Sequence, residues 1–173
     1  KEAIKLAVDL KKAEQDLDDM HRKLIVSDAK SKRQIDELIL QSKDRTKSEQ
    51  ERQDLIDKAL VIEEEQYKRR KEIADKEVEI AQGKIIAGRN LTAEEIKNLK
   101  ELGVEYAIKL QDTKAITDEE VENLANALAN QENILDESVA IREKAINRKN
   151  ELEDKAQAKE EKRQEDRKKA YDD

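Results

Sequence analysis

Not one proline interrupts the 173 residues of this chain, and glycine occurs only three times. Proline costs a helix interior roughly 3 kcal/mol and glycine about 1 kcal/mol, so a chain nearly free of both can stay helical for many turns. The apolar residues then decide where helices pack. Charged residues make up 46% and aromatic residues 2% of the chain, against about a quarter charged in an ordinary soluble domain. With no Phe or Trp and many Ala, buried contacts must be thin seams between helices. Periodic apolar residues and marked helix starts separate the chain from a disordered one of similar charge. The expected fold class is all-α, built from long coiled-coil-type helices.

The first segment reads as one helix from about Lys1 to Gln41. Leu6, Leu10, Ala13, Leu17, Met20 and Leu24 alternate spacings of four and three. That is a heptad seam, and it asks for a partner helix. The seam fades after Ser27 and returns as Ile35, Leu38 and Ile39. From Gln41 to Asp54 there is no apolar residue at all. Within that stretch Thr46 with Glu49 and Ser48 with Glu51 form two overlapping capping signals, in which a hydroxyl and a carboxylate cover each other's backbone amides. A break is expected here, dividing an N-terminal helix (1–44) from the rest (45–171).

A second helix follows over about 48–87, with a stripe of Ile56, Leu60, Tyr67, Ala74, Val78, Ala81 and Ile85. Glu64 with Lys68, Glu65 with Arg69, and Glu72 with Lys76 add surface pairs of about 0.2–0.5 kcal/mol each. Gly88 is placed to stop it. Leu91-Thr92-Ala93-Glu94-Glu95-Ile96 and Ile116-Thr117-Asp118-Glu119-Glu120-Val121 are each a capping box inside a hydrophobic staple. They start a short helix over about 92–112, with Gly103 as a kink or stop, and a last helix over about 117–170. Leu124, Leu128, Leu135, Val139, Ile141, Ala145, Ile146 and Leu152 form the apolar side of that last helix. Beyond Ala156 it is almost wholly polar, with Glu151–Lys155 and Glu165–Lys169 suited to a solvated helix. Four helices are expected in all. Each stripe is too narrow for its helix to stand alone, so the second and last helices should form an antiparallel hairpin with the short helix at its turn. The N-terminal seam has no evident partner inside the chain and should associate with other copies or another protein.

Chemistry-bearing patterns are sparse. His21 is the only histidine; Asp18 shares its face, but a bundle metal site needs a second such motif and more inward carboxylates. Asp16, Asp18 and Asp19 lack the central glycine and final Glu of a calcium loop. Asn90-Leu91-Thr92 matches a glycosylation sequon, yet Thr92 is explained as a helix cap. Tyr67, Tyr106 and Tyr171 are too scattered to stack bases. No catalytic residue, metal ligand or cofactor is expected. Net charge of −7 disfavours nucleic acid and anionic membrane surfaces, and no apolar run is long enough to span a bilayer. Lys1 rather than Met at the start reads as a piece of a longer chain.

Several stretches resemble the helical regions of phage tail tape-measure proteins: Asp44 to Ala59 (DRTKSEQERQDLIDKA), Val61 to Ala81 (VIEEEQYKRRKEIADKEVEIA), LTAEEIKNLKELGVEYA and ITDEEVENLANAL. The resemblance covers most of the chain and lies in its biased composition. It implies a helical structural rod that fills the tail lumen, helps set tail length, contacts tail-tube proteins and resides in the virion. The hydrophobic membrane-active segments of many such proteins are missing here. The alternative is a cytoplasmic coiled-coil adaptor or spacer joining other proteins; a membrane-surface helical protein is disfavoured by the acidic balance.

Overall fold

The computed structural model describes residues 2–172, with side chains described from Lys5; the expected helix start at Lys1 lies outside them. Among the described residues five helices form: α1 (Glu2–Ser42), α2 (Glu49–Ile86), α3 (Ala93–Leu102), α4 (Val104–Gln111) and α5 (Asp118–Asp172). No strand occurs among the described residues. Four helices were expected, and Gly103 makes the fifth. Its backbone (φ 65, ψ −131) is open to glycine and closed to residues with a Cβ, so the expected 92–112 helix is two.

The helix ends follow local chemistry. The break after α1 is real, and of the two overlapping caps only the second is used. Ser48 Oγ accepts from the Glu51 amide at 3.2 Å, and the Glu51 carboxylate accepts from the Ser48 amide at 3.3 Å. Thr46 is diverted: its amide and hydroxyl both donate to Asp44 Oδ1, at 3.0 and 2.8 Å. These bonds, with nearby Lys47 and Arg52, hold the Asp44 carboxyl below its ordinary range. Arg52 Nε closes the break by donating to the Ser42 carbonyl at 2.6 Å, which covers an orphan acceptor of the last turn of α1. Thr92 and Thr117 both form complete boxes, with Glu95 and Glu120 respectively. α2 stops two residues before Gly88, whose φ is 73.

Packing divides the chain into two compact units, Lys1–Ser27 with Tyr67–Asp136, and Asp28–Gln66 with Glu137–Asp173. In the first, Glu14 meets Lys84 at 2.8 Å and His21 meets Glu77 at 2.9 Å. Numbers rise along α1 as they fall along α2, so the two run antiparallel. Gln131 and Asn130 of α5 donate to Asp75 and Glu77 at 2.9 and 3.2 Å, which sets α5 antiparallel to α2. The core at the reversal joins Val78, Ala81 and Ile85 of α2, Leu99 of α3, Ala107 and Leu110 of α4, and Leu124 and Ala127 of α5. Ile116 is buried with them, and Leu91 and Val121 pack against them, which puts residues of both staples where the pattern placed them. In the second unit, Arg148 meets Glu63 at 2.5 Å and Lys149 meets Asp57 at 2.6 Å, again antiparallel. Ile56, Ala59, Ala145 and Leu152 are buried there. The expected hairpin of the second and last helices therefore forms.

Candidate functional site

The N-terminal seam is the interface that the heptad spacing singles out. Leu6 is 36% exposed; Leu10, Ala13, Leu17, Met20 and Leu24 are half-buried. The expectation that this seam has no partner within the chain is corrected by its neighbours. A Cβ on Gly83 would stand 2.6 Å from Leu10 Cδ2, so the absence of a side chain there lets α1 lie close on α2. Leu6, Leu10 and Ala13 border an open cavity of about 390 Å³ with Ile80 and Ile86 of α2. Leu17 borders a second with Ile80 and Ala81. α2 is thus covered on two sides, which is why Ile80 is buried; Ile73 is buried too, and the stripe read from sequence omits both. A single-partner stripe cannot account for a helix flanked by α1 and α5.

Two half-buried ion pairs hold the hairpin. Arg89 donates through Nη1 to Glu120 Oε2 at 2.6 Å and through Nη2 to Glu120 Oε1. The same guanidinium reaches the carbonyls of Lys84, Ile85 and Ala115. It therefore ties the end of α2 to the start of α5. Burial works to raise the Glu120 carboxyl, but the bonds from Arg89 and Thr117 outweigh it and hold the group below its ordinary value. Arg148 with Glu63 plays the same part in the other unit, where Glu63 is 8% exposed.

His21 lies half-exposed against Glu77. Among the described residues no group of three His, Cys, Asp or Glu is placed to hold a metal ion, and no helix is long and apolar enough to cross a membrane. Asn90 of the sequon gives its carbonyl to Lys114 Nζ at 3.0 Å, and Thr92 caps α3 as expected.

The feature that sequence reading missed is a cationic cleft in the second unit. One wall is the α1–α2 loop, with Lys43, Arg45 and Lys47, joined by Arg52. The other is α5, where Lys155, Lys159, Lys162 and Arg163 share one helical face. Among the described residues Glu49 and Glu160 are the acidic ones bordering this opening of about 800 Å³, and Leu152, Ala156 and Ala158 supply its apolar part. Eight cations against two carboxylates stand out in a chain of net charge −7. The spacing on α5 was a visible signal; its meeting with the loop was not.

Comparison with protein-family models, curated proteins and solved structures finds no match. The reading of function therefore rests on these surfaces and on the resemblance in composition.

Proposed function

We propose that this chain is a structural segment, a helical scaffold belonging to a phage tail tape-measure protein. The observation that carries this reading is where the apolar residues go. The buried ones lie on seams between the chain's own antiparallel helices, with small residues such as Ala59, Ala74, Ala81, Ala107, Ala127 and Ala145 among them. Small residues let helices approach closely, and the reversal is locked by two capping boxes and the Arg89–Glu120 pair. Outside lies mainly a coat of both charges, with single apolar residues such as Val8, Ile25, Leu40, Val61 and Val139 exposed among them; a surface of that kind suits a segment that slides past neighbouring surfaces. The resemblance to tape-measure helices supplies the specific setting. The half-covered seam of Leu6 to Leu24 is the place for further helices of the same assembly.

The test is tail length. In a phage that encodes this chain, in-frame removal of residues 67–136 should shorten the tail seen by electron microscopy. Laid out as one helix, these residues would span roughly 100 Å; folded back as here, the α2 arm from 67 to 86 accounts for about 30 Å. Either shortening supports the reading. Tails of unchanged length, or purified tails without the chain, overturn it in favour of a cytoplasmic adaptor. The cationic cleft gives that second reading its own observation, since an adaptor needs a surface that selects a partner.

A further inference from the structure

We propose that the cationic cleft of the second unit docks an acidic amphipathic helix of a partner protein. The proposal does not depend on the tape-measure reading. Its starting point is an electrostatic cost. Lys43, Arg45 and Lys47 on the loop confront Lys159, Lys162 and Arg163 on α5. Like charges gathered across one opening repel, by an amount that the surrounding water reduces but does not abolish. Nearby acids offset only part of this: Glu49 and Glu160 border the opening against eight cations, Asp44 beside Lys47 and Arg52 adds one negative charge, and Glu151 meets Lys155 at 3.5 Å. A ligand carrying several negative charges would relieve the repulsion.

The apolar part of the cleft selects among anions. Leu152 is 6% exposed and is the last buried residue of α5; from Gln157 to Asp172 the helix is exposed throughout. The α5 seam thus runs out into the cleft through Leu152 and Ala156 and then becomes cationic at Lys159 and Arg163. Phosphates gain nothing from an apolar strip. A helix with an apolar stripe flanked by carboxylates would extend the seam and pair with both walls, in the manner of helix-in-groove recognition. A long polyanion would also meet Glu153, Asp154, Glu161, Glu165 and Asp166 on the remaining faces of α5, where Arg167, Lys168 and Lys169 at most balance them, so it finds no excess of cations once it leaves the cleft. A short acidic helix stays within the cationic stretch.

Fluorescence anisotropy with the whole chain tests this. The probe is a fluorescein-labelled peptide of Leu and Glu in helical alternation, set beside labelled polyglutamate and a labelled DNA duplex. The peptide should bind, and affinity should fall about tenfold or more between low and moderate salt. Polyglutamate and the duplex should bind several-fold more weakly. The double variant Lys159→Glu/Arg163→Glu should lose about tenfold or more in affinity for the peptide while keeping its helical circular dichroism. If it loses helicity, Lys43→Glu/Arg45→Glu replaces it, since those residues lie outside any helix. No binding of the peptide, or affinity unchanged by the reversals, overturns the proposal. So does tighter binding of the duplex, which would make the cleft a phosphate site. Salt-sensitive self-association removed by the same reversals would place a second copy there and overturn it too.

Discussion

Replacing Arg89 by alanine should destabilise the first unit by about 2–3 kcal/mol. The side chains of Arg89 and Glu120 are 17% and 18% exposed, so the pair is mostly withdrawn from water. Stripping one partner from a fully buried pair costs about 3–5 kcal/mol, mainly because the other charge is stranded. Here the stranded Glu120 keeps the Thr117 amide and hydroxyl, at 3.1 and 2.9 Å, and some water, which brings its share down to about 2 kcal/mol. The rest comes from three carbonyls that lose a cationic donor: Lys84 and Ile85 at the end of α2, and Ala115. Ala115 has φ 43, a left-handed backbone that a residue with a Cβ holds only when its surroundings enforce it. In a chain of this size the loss corresponds to a fall in Tm of roughly 5–10 °C. Denaturant unfolding gives the energy, and hydrogen exchange should show lost protection around residues 84–89 and 115–121. Arg89→Lys should recover less than half, because an ammonium cannot reproduce the two-pronged bond. A loss below about 0.5 kcal/mol, or a double-mutant cycle with Glu120→Ala showing no coupling, would refute the reasoning.

Gly103→Ala should cost about 1–3 kcal/mol, since its backbone is glycine-only and a Cβ would sit 3.3 Å from Leu128 Cδ1; Gly103→Asn should fare no better, because ψ −131 lies far from the left-handed helical region that Asn tolerates. A denaturant midpoint equal to that of the unaltered chain would contradict this. Leu124→Ala, at a side chain with 0% exposure in the reversal core, should lose about 3 kcal/mol by calorimetry or denaturant melts. Acid should weaken the fold. Glu120 is held low as described, and Asp75 is held low by its bonds from Lys71 and Gln131, so both contribute stability above their unfolded pKa values that disappears as pH falls through the folded ones. Tm should decline from about pH 4.5 downward, and Glu120→Gln should flatten that decline; a Tm independent of pH between about 5 and 3 would count against it.

The helices and most of their ends follow from local patterns in the chain. Caps are short-range: Thr92 with Glu95, and Thr117 with Glu120, close bonds over three residues, so their pattern carries its own geometry. The all-α class and the α2–α5 hairpin were legible for the same reason, with staples and apolar stripes marking reversal and pairing. Between Thr46 and Ser48, however, the choice went to Ser48 because Asp44 captured Thr46 and Arg52 reached back to Ser42. Tertiary structure alone laid the Leu6–Leu24 seam on α2, since Gly83 reads only as a weak helix residue until Leu10 is seen beside it. It alone buried Ile73 and Ile80, paired Arg89 with Glu120, and brought Lys43, Arg45 and Lys47 opposite Lys159, Lys162 and Arg163. Those contacts join residues tens of positions apart, and no local hydrogen-bond rule encodes which of many equivalent lysines, arginines and glutamates will meet. Only the register of antiparallel helices, set by the fit of small and aliphatic residues along their shared seams, decides that.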